Sequence, residues 1–378
     1  MYKLKDFAQD ISVAIKDVQS SPFDRFVGLE HYDSGEPVIT RYTDKSLLSS
    51  SVKEFRKNDI LIARRNVYLK RAGIAFFDGL TSGDSIVLRV YDDCESRTGI
   101  SKQDAIRIIP FILNSNVFWA YANKHADGMN SKRISKEMLY DYEFDLPPLA
   151  EQKVLAEKLW AAYRLKESYK KLLAATEEMV KSQFIEMFGG GNWPQKTLGE
   201  VGSFTRGGGF LKSDFVEHGI PCIHYGQIHT KFGPFITSHI TEISSDLESK
   251  TKFASKGDLV IAITSEDTEG SCKSTAWLGD YPVAVGGHAA IYKHSMNPLY
   301  MSFFFKSTLF NYAKIEYVHG TKVFEIKPDD IAKILVPCPP MSLQNQFSAI
   351  AEQSDKSGFE LRKSIDAIDA VIKSLINS

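Results

Sequence analysis

The sequence is poor in cysteine, has no long apolar run and carries almost no net charge. Its 378 residues include four scattered cysteines, Cys94, Cys222, Cys272 and Cys338, and none of them forms a C-x-x-C pair. This usage indicates reduced thiols in a cytoplasm and is unlike a disulfide framework or a zinc site. No run approaches the roughly 20 apolar residues of a membrane-spanning helix. The charged start of the sequence also lacks the apolar core of a signal peptide, so we expect a cytoplasmic protein with no membrane partner.

Signatures of catalysis are also missing. The sequence contains no phosphate-binding loop, and no Ser/His/Asp or Cys/His arrangement is legible. Both Pro-Pro dipeptides, which follow Leu146 and Cys338, lack the Asn/Asp-Pro-Pro-aromatic pattern of an amino-group methyltransferase. The segment Pro328-Asp329-Asp330 has no downstream Glu-x-Lys of a nuclease, and a proline there is typical of a helix start. The nine histidines show no metal-ligand spacing, so we expect no metal site. Because the motifs of catalysis are missing as well, we expect no catalytic residue in this chain.

What the sequence does have is a heptad-patterned run from Leu149 to Phe188 that no Pro or Gly interrupts. Such a run predicts one helix of about 60 Å, at roughly 1.5 Å per residue, with an apolar coiled-coil seam. The three glycines at 189–191 are expected to end it. A second run with the same rhythm, over residues 341–378, would supply the partner that the seam requires. The predicted seam consists of Leu155, Leu159, Ala162, Tyr169, Leu173, Val180, Leu361, Ile365, Ile368, Ile372 and Leu375.

The second half of the sequence repeats the first. A shift of 192 residues places Gly128 on Gly320 and Gln152 on Gln344, and further upstream the shift grows to 199. A repeat of this kind predicts a duplicated structural unit. The fold that we predict is of the α+β class: two similar mixed α/β domains, separated by two long antiparallel coiled-coil helices and related by an internal pseudo-twofold axis. The expected divisions are domain 1 at 1–148, spacer helix 1 at 149–191, domain 2 at 192–340 and spacer helix 2 at 341–378.

Each predicted domain begins with short strands and ends with a helix and a polar loop. In domain 1, glycine-punctuated apolar stretches predict strands, and a longer apolar stretch predicts a helix from about Pro110 to Ala122. A small basic loop over residues 126–133 follows that helix, and its counterpart in domain 2 includes residues 319–324. Loops of this kind present side chains outward from a rigid base. The predicted strands lie at 60–63, 85–91, 220–225 and 259–263.

Net charge offers no direct sign of a nucleic-acid partner. The chain has a formal net charge of −1, so a DNA-binding protein of this composition must concentrate its positive charge locally. Residues 53–71 contain seven Lys and Arg against two acidic residues. A solvated edge would explain this cluster equally well.

The duplicated architecture resembles a known family, the specificity (S) subunits of type I restriction-modification systems. The motif that carries the resemblance is Pro-Pro-x-x-x-Gln at the start of each long helix, in residues 146–152 and again in 339–347. The segment Phe-Val-Gly-Leu-Glu-His at 26–31 also looks like one that is common early in the first domain of such subunits. The resemblance covers essentially the whole chain.

The resemblance implies a non-catalytic subunit with several partners. Each globular domain would be a target-recognition domain that reads one half of a bipartite site in double-stranded DNA. The helices would separate the two domains and bind two methyltransferase (M) subunits, and restriction (R) subunits could join that complex. S-adenosylmethionine would be held by the M subunit, so this chain would take no cofactor. Because the domains differ in sequence, the two half-sites are expected to differ as well.

Physical reasoning also supports two separate domains that each recognise a short DNA sequence. Base sequence is legible in the major groove through donor and acceptor patterns, and a stiff spacer would fix the gap between two half-sites. Changing the length of the helices is therefore expected to change the gap and not the half-sites. Some of the basic side chains would hold phosphates and others would read bases. The residues that we predict to face DNA are Arg64, Arg65, Lys70, Arg71, Asn130, Lys132 and Arg133 in domain 1, and Arg206, Lys212, Lys273, Thr321 and Lys322 in domain 2.

Three other functions remain open at this point. The chain could be a nuclease or methyltransferase that acts alone, although the motifs of both are missing. It could be a coiled-coil adaptor that never touches DNA, which would explain the helices but not the two elaborate domains. It could also be the specificity subunit of a methylation-only system, of an orphan cluster or of a phase-variable set with shuffled domains.

Overall fold

The computed structural model describes residues 1–11, 13–47, 52–129 and 131–377, and the side chains of Leu47 and Lys212 also lie outside the description. The chain divides into two compact units. Unit 1 consists of Met1–Lys170 and Arg362–Ser378, and unit 2 consists of Lys171–Leu361. Each unit therefore combines one globular part with one section of each long helix. Within the described part of the chain, no helix is both long and apolar enough to cross a membrane, and the four cysteines are free.

Unit 1 is built from short strands followed by helices. Its strands are β1 (Tyr2–Lys3), β2 (Ala8–Asp10), β3 (Ala14–Ile15), β4 (Arg25–Val27), β5 (Val38–Ile39), β6 (Thr43–Asp44), β7 (Val52–Phe55), β8 (Ile60–Ala63), β9 (Ala72–Ala75), β10 (Gly79–Ser82), β11 (Ser85–Val90) and β12 (Glu143–Phe144). Its short helices are α1 (Leu4–Phe7), α2 (Cys94–Thr98), α3 (Lys102–Ile112), α4 (Asn116–Lys124) and α5 (Lys136–Tyr140). The long helix α6 (Leu149–Phe188) begins in unit 1 and ends in unit 2.

The strands of unit 1 form two five-stranded sheets. One has the order β2-β11-β8-β9-β5 and the other the order β3-β7-β10-β4-β6, and β1 pairs with β12. Strand β8 is apolar without alternation, because Ile60 and Ile62 pack in one buried cluster with α3 and α4 whereas Leu61 and Ala63 belong to a second cluster. A strand that is buried on both faces loses the polar-apolar alternation of a half-exposed strand.

Unit 2 follows the same plan. Its strands are β13 (Gln195–Thr197), β14 (Gly202–Arg206), β15 (Phe215–Val216), β16 (Ile220–Ile223), β17 (Phe235–Ile236), β18 (Thr241–Ile243), β19 (Lys252–Ala254), β20 (Leu259–Ala262), β21 (Thr264–Ser265), β22 (Ser274–Trp277), β23 (Val283–Val285), β24 (Ala289–His294), β25 (Phe324–Glu325) and β26 (Leu335–Pro337). Its helices are α7 (Leu198–Val201), α8 (Tyr225–Thr230), α9 (Pro298–Phe304), α10 (Thr308–Lys314), α11 (Pro328–Ile331) and α12 (Met341–Asn377), which ends in unit 1.

The sheets of unit 2 repeat those of unit 1. The first sheet has the order β14-β24-β20-β22-β17, which matches the first sheet of unit 1 strand for strand. In the second sheets, β18-β16-β23-β19 corresponds to β6-β4-β10-β7, and one further strand, β15 or β3, is added at opposite edges. The internal repeat that the sequence predicts is therefore confirmed by the topology of each unit.

Backbone conformations also repeat at the positions that the two sequence shifts pair. The loop after the helices has a positive φ at Gly128 (112°) and at Gly320 (136°), in the left-handed region that a Cβ disfavours. The turn before β8 has a positive φ at Asn58 (72°), and the turn before β20 has one at Gly257 (95°). The shift changes between these points because α2 separates β11 from α3 in unit 1, whereas β24 leads almost directly to α9 in unit 2.

The Pro-Pro-x-x-x-Gln motif closes the junction between each globular part and its long helix. The side chain of Gln152 donates from Nε2 to the carbonyl of Pro147 (2.9 Å), and Gln344 donates in the same way to Pro339 (2.8 Å). Both glutamines are 3% exposed. Gln344 Oε1 also accepts a hydrogen bond from the backbone N of Asn297 (2.9 Å), the residue that caps α9. In each motif a buried glutamine side chain therefore holds the Pro-Pro segment by a hydrogen bond, and the glutamine of unit 2 makes one additional hydrogen bond.

Replacing these glutamines with alanine is expected to destabilise unit 2 more than unit 1. Gln344→Ala removes two hydrogen bonds of a buried side chain, whereas Gln152→Ala removes one. A buried polar group left without a partner costs about 1 to 3 kcal/mol, so we expect a loss of about 2 to 4 kcal/mol for Gln344→Ala and about 1 to 2 kcal/mol for Gln152→Ala. Chemical denaturation of the two variants measures this difference. Equal losses in the free energy of unfolding would argue against a larger contribution from Gln344.

The predicted helix that begins at about Pro110 is wrong. Pro110 lies inside α3, which ends at Ile112, and α4 begins only at Asn116. The break is set by Ser115, whose side-chain oxygen accepts a hydrogen bond from the backbone N of Phe118 and so caps α4. A single apolar stretch therefore forms the end of one helix and most of another.

The predicted strand over 220–225 is too long, while the other three predicted strands agree within one residue. Strand β16 ends at Ile223, and Tyr225 opens α8. The side chain of Gln227 accepts a hydrogen bond from the backbone N of His224 (3.0 Å), which stabilises the first turn of α8. This local capping ends the strand earlier than its apolar pattern suggests.

The two long helices have the predicted bounds, Leu149–Phe188 and Met341–Asn377. In unit 1 they run antiparallel, since the first turns of α6 and the last turn of α12 line one cavity. Further along, Lys166 Nζ of α6 lies 2.5 Å from Asp369 Oδ1 of α12. The structure places each of the eleven seam residues at a buried or half-buried position.

Helix α6 also packs on the globular part of unit 1, which the heptad pattern did not reveal. Trp160 Nε1 donates to the carbonyl of Arg107 (2.9 Å), and the Trp160 ring meets Phe111 edge-on at 5.3 Å. Tyr163 is buried beside Trp160. In unit 2, Phe184 of α6 lies in the main core. A helix with two packed faces carries a wider apolar stripe than a two-stranded coiled coil alone requires.

Candidate nucleic-acid interface

Two loops of unit 1 are joined beside the end of β8. Arg65 and Arg133 are cross-strand partners in an antiparallel bridge. The backbone N of Asn66 donates to the carbonyl of Lys132 (2.7 Å), and Arg65 Nε donates to Ser131 Oγ (2.7 Å). These bonds hold two basic segments, distant in sequence, in a fixed register. Lys132 and Arg133 are both exposed.

Three arginines of these loops surround one carboxylate. Asp84 lies 3.5 Å from Arg64, 3.9 Å from Arg65 and 3.5 Å from Arg133, measured between the closest side-chain oxygen and nitrogen atoms. One carboxylate offsets only part of three guanidinium charges, so this surface is positive. The arginine side chains are 39% to 46% exposed and can reach a ligand. We call Arg64, Arg65, Lys132 and Arg133 the basic cluster.

The adjacent residues Lys70 and Arg71 have different surroundings. Arg71 donates from Nη1 to the carbonyl of Leu29 and from Nη2 to the carbonyl of Arg65, both at 2.9 Å. Burial lowers the pKa of its guanidinium, and its bonds make it a support for the basic cluster. Lys70 Nζ lies 3.4 Å from Asn116 Oδ1, in a cavity of about 260 Å³ that α6 and α12 also line. The structure therefore brings Arg71 to the predicted site and places Lys70 away from it.

Two lysines that the sequence analysis did not select lie next to the basic cluster. The pKa of the Lys53 ammonium is lowered, mainly by burial and also by the nearby charge of Arg64. The charge of Asp10 acts in the opposite direction. Lys136 Nζ lies 3.5 Å from Asp10 Oδ2. Asp10 offsets the charge of Lys136, and the half-buried Lys53 donates from Nζ to the carbonyl of Ser85 (2.6 Å). The predicted contact Asn130 lies outside the described residues.

Unit 2 builds the same pair of loops from different side chains. Strands β21 and β25 place Thr264 opposite Glu325, as Arg65 stands opposite Arg133 in unit 1. A backbone bridge between His319 and Glu325 closes the loop around Gly320. We call the paired loops 64–66 and 131–134 the ridge of unit 1, and the paired segments 264–265 and 319–325 the ridge of unit 2.

Three of the predicted residues in unit 2 lie on or beside its ridge. Arg206 Nη2 lies 3.3 Å from Glu325 Oε1, and Arg206 Nε donates to the carbonyl of Gly287 (2.9 Å). Thr321 and Lys322 are exposed in the loop that precedes β25. Arg206 is paired with one carboxylate, so the ridge of unit 2 carries less excess positive charge than that of unit 1, where one carboxylate faces three arginines.

Lys273 and Lys212 are not placed at the ridge by the structure. Lys273 is exposed, and its charge acts on Lys306 and Lys314. Burial, followed by the charge of Lys273, lowers the pKa of Lys306 to about 8. Lys212 opens a short 3-10 turn, but its side chain lies outside the description.

Ring-bearing side chains surround the ridge of unit 2, and the sequence analysis missed them. His229 Nε2 lies 3.0 Å from the carbonyl of Thr264, and His288 Nδ1 lies 3.3 Å from the Thr264 hydroxyl. The ring of Tyr225 is 5.1 Å from that of His288. The sheet register places His288 at the position of Asp84 in unit 1, and neither of the two sequence shifts pairs these residues, so the sequence carried no signal for them.

Both ridges are open surfaces. The side chains of Arg65, Arg206 and Glu325 are 46%, 52% and 43% exposed. Among the residues that the structure describes, no group of three or more His, Cys, Asp or Glu is placed to hold a metal ion. Exposed, hydrogen-bonding side chains on a rigid base suit contact with the edges of bases in a groove.

Comparison with known proteins finds matches among solved structures alone: no protein-family model and no curated protein matches this sequence. A chain from work on complex assembly and conformational transition of the type I R-M system is 16% identical with a TM-score of 0.56, and the match covers 100% of this chain and 98% of that one. The type I restriction-modification system S subunit from M. genitalium is 12% identical with a TM-score of 0.52, and the match covers 99% of this chain and 94% of that one. The chain therefore has the fold of the S subunit of type I restriction-modification systems.

Proposed function

We propose that the chain is the DNA sequence-recognition subunit of a type I restriction-modification complex. Each unit reads one half of an asymmetric, bipartite site in double-stranded DNA. The observation that carries the proposal is the pair of ridges, which share one backbone frame but carry different side chains. A common frame with two sets of hydrogen-bonding groups suits a protein that recognises two different short sequences.

The positive charge of unit 1 supports the same proposal. The chain as a whole has a net charge of −1, yet Arg64, Arg65 and Arg133 converge on one carboxylate. Such a local excess attracts phosphates although the average charge of the protein does not. An adaptor that never touches DNA would have no need for it.

The long helices provide surfaces for the expected protein partners. In unit 2, Leu172 and Met179 lie one heptad apart on α6, and each is 52% exposed. Phe359 of α12 is 62% exposed. Exposed apolar residues at heptad spacing suit the docking of partner helices. We assign these surfaces to two M subunits, which hold S-adenosylmethionine and carry out methyl transfer, while R subunits join the complete complex.

Co-expression of this chain with an M subunit tests the proposal. We expect long-read sequencing of the host DNA to show one split motif, methylated on both strands and absent without this chain. The chain alone, mixed with S-adenosylmethionine and DNA, is expected to transfer no methyl group. A soluble, assembled complex that produces no new methylation would contradict DNA recognition and favour the adaptor. Adding an R subunit and measuring cleavage of unmethylated DNA distinguishes a restriction system from a methylation-only one.

A further inference from the structure

One charged position has opposite signs in the two ridges. Glu325 occupies the place in unit 2 that Arg133 occupies in unit 1, because each is the cross-strand partner of an equivalent residue, Thr264 or Arg65. Both positions are exposed. A carboxylate is repelled by phosphates, so a DNA contact made by Glu325 requires a hydrogen-bond donor on a base.

Donors in the major groove belong to two bases. Cytosine presents its N4 amino group and adenine its N6 amino group, and Asp or Glu characteristically accepts from cytosine. The guanine of a C·G pair presents two acceptors, O6 and N7, beside the cytosine donor. A C·G pair therefore matches a carboxylate and a guanidinium held side by side.

Arg206 supplies that guanidinium in a fixed position. Its Nη2 lies 3.3 Å from Glu325 Oε1, and its Nε donates to the carbonyl of Gly287 (2.9 Å). The backbone of Arg206 stands opposite Ala290 in the β14–β24 ladder. The backbone N of Glu325 donates to the carbonyl of His319 (2.8 Å). Because both residues are held at the backbone and at the side chain, binding costs them little conformational freedom.

Two ring-bearing side chains lie near this pair. His288 follows Gly287, and its ring lies 5.1 Å from that of Tyr225, which is 41% exposed. Flat rings beside a hydrogen-bonding pair offer apolar contact with an adjacent base. In unit 1 the equivalent of His288 is Asp84, so the ring contact belongs to unit 2.

We propose that Arg206 and Glu325 together read one C·G base pair in the half-site bound by unit 2. Arg206 donates through its terminal nitrogens to O6 and N7 of the guanine, and Glu325 accepts from N4 of the cytosine. The inference rests on the proposed function, since it assigns a base pair to a ridge that must face DNA. Arg133 places a cation at the equivalent position of unit 1, so this C·G requirement concerns one half-site only.

The variant Glu325→Gln tests the inference in the complex assembled with the M subunit. Long-read mapping is expected to show that the preference for C·G falls about tenfold or more at one position of one half-site, with a gain for adenine, which glutamine recognises well. The other half-site and the gap should stay unchanged. Glu316→Gln, the same substitution at an exposed site in unit 2, is the matched control and should leave the motif intact. Arg133→Ala should alter the other half-site, which assigns the halves to the units.

Two results would overturn the inference. One is a Glu325→Gln motif identical to that of the wild type. The other is a uniform decrease in methylation with unchanged base preference, which a carboxylate that only orients Arg206 would produce. Failure of the proposed function is a distinct result, because then the wild-type complex itself methylates no split motif and the inference falls with it.

Discussion

Replacing Lys166 with methionine is expected to lower the free energy of unfolding of the chain by about 2 to 3 kcal/mol, since the carboxylate left unpaired at Asp369 is one-third exposed and water offsets part of the cost. Lys166 is 5% exposed, and its Nζ lies 2.7 Å from Glu36 Oε1 and 2.5 Å from Asp369 Oδ1. Without it, Asp369 loses this buried partner and Glu36 retains Lys170, at 2.7 Å. A buried charge that loses its partner is costly, even where the intact pair contributes little net stability.

The size of this loss is expected to depend on pH. Burial acts to raise the pKa of Glu36, but the hydrogen bonds from Lys166 and Lys170 outweigh it, and the pKa lies below its usual value. A carboxyl with a lowered pKa in the folded state stabilises fully above its unfolded-state pKa, and this stability is lost as the pH falls through the folded-state pKa. The difference between Lys166→Met and the wild type should therefore be largest near neutral pH and narrow in acid.

Two further variants make this prediction specific. Lys153→Met changes an exposed lysine of the same helix and should have little effect. The double variant Lys166→Met with Asp369→Leu should recover much of the loss, since apolar groups of similar size can replace a buried ion pair. Chemical denaturation followed by circular dichroism measures all three. A loss for Lys166→Met no larger than that for Lys153→Met would show that the buried ion pairs do not stabilise unit 1.

Changing Arg65 and Arg133 to glutamate is expected to weaken DNA binding by the assembled complex about 100-fold or more. The two side chains stand opposite each other on the ridge of unit 1, and their reversal next to Asp84 removes the excess positive charge of this surface. If both arginines hold phosphates, the slope of log affinity against log salt should fall in magnitude by about 2. A smaller change in slope with a change in sequence preference would assign them to bases.

The matched control reverses the same number of charges elsewhere in unit 1. Lys16 and Lys57 are exposed, and Lys57 lies in the turn before β8 whereas Arg65 follows its other end. Lys16→Glu with Lys57→Glu changes net charge equally but leaves the ridge intact. Equal weakening by the two double variants would mean that overall charge, and not the ridge, governs binding. Thermal unfolding of both proteins establishes that each remains folded.

Periodicity and duplication were sufficient to predict the large features of this protein. The bounds of α6 and α12 follow from sustained heptads and the glycines after Phe188, because hydrophobic periodicity and helix-breaking residues mark where a helix begins and ends. The repeated fold follows from the two sequence shifts, because segments with matching turns, loops and apolar patterns form matching helices and strands. The division of one apolar stretch between α3 and α4 was missed, because Ser115 caps a helix within that stretch.

The sequence by itself therefore determined the two long helices, the duplication and the class of fold, which follow from its periodicity and its internal repeat. Only the tertiary structure decided which charged groups act together. Lys70 and Arg71 are neighbours in sequence, yet the positive φ of Lys70 (51°) turns the chain, and only Arg71 supports the ridge. Arg206 and Glu325 are far apart in sequence and meet because ladders in two sheets bring their strands together. Such contacts depend on long-range strand pairing, which no local pattern of residues encodes.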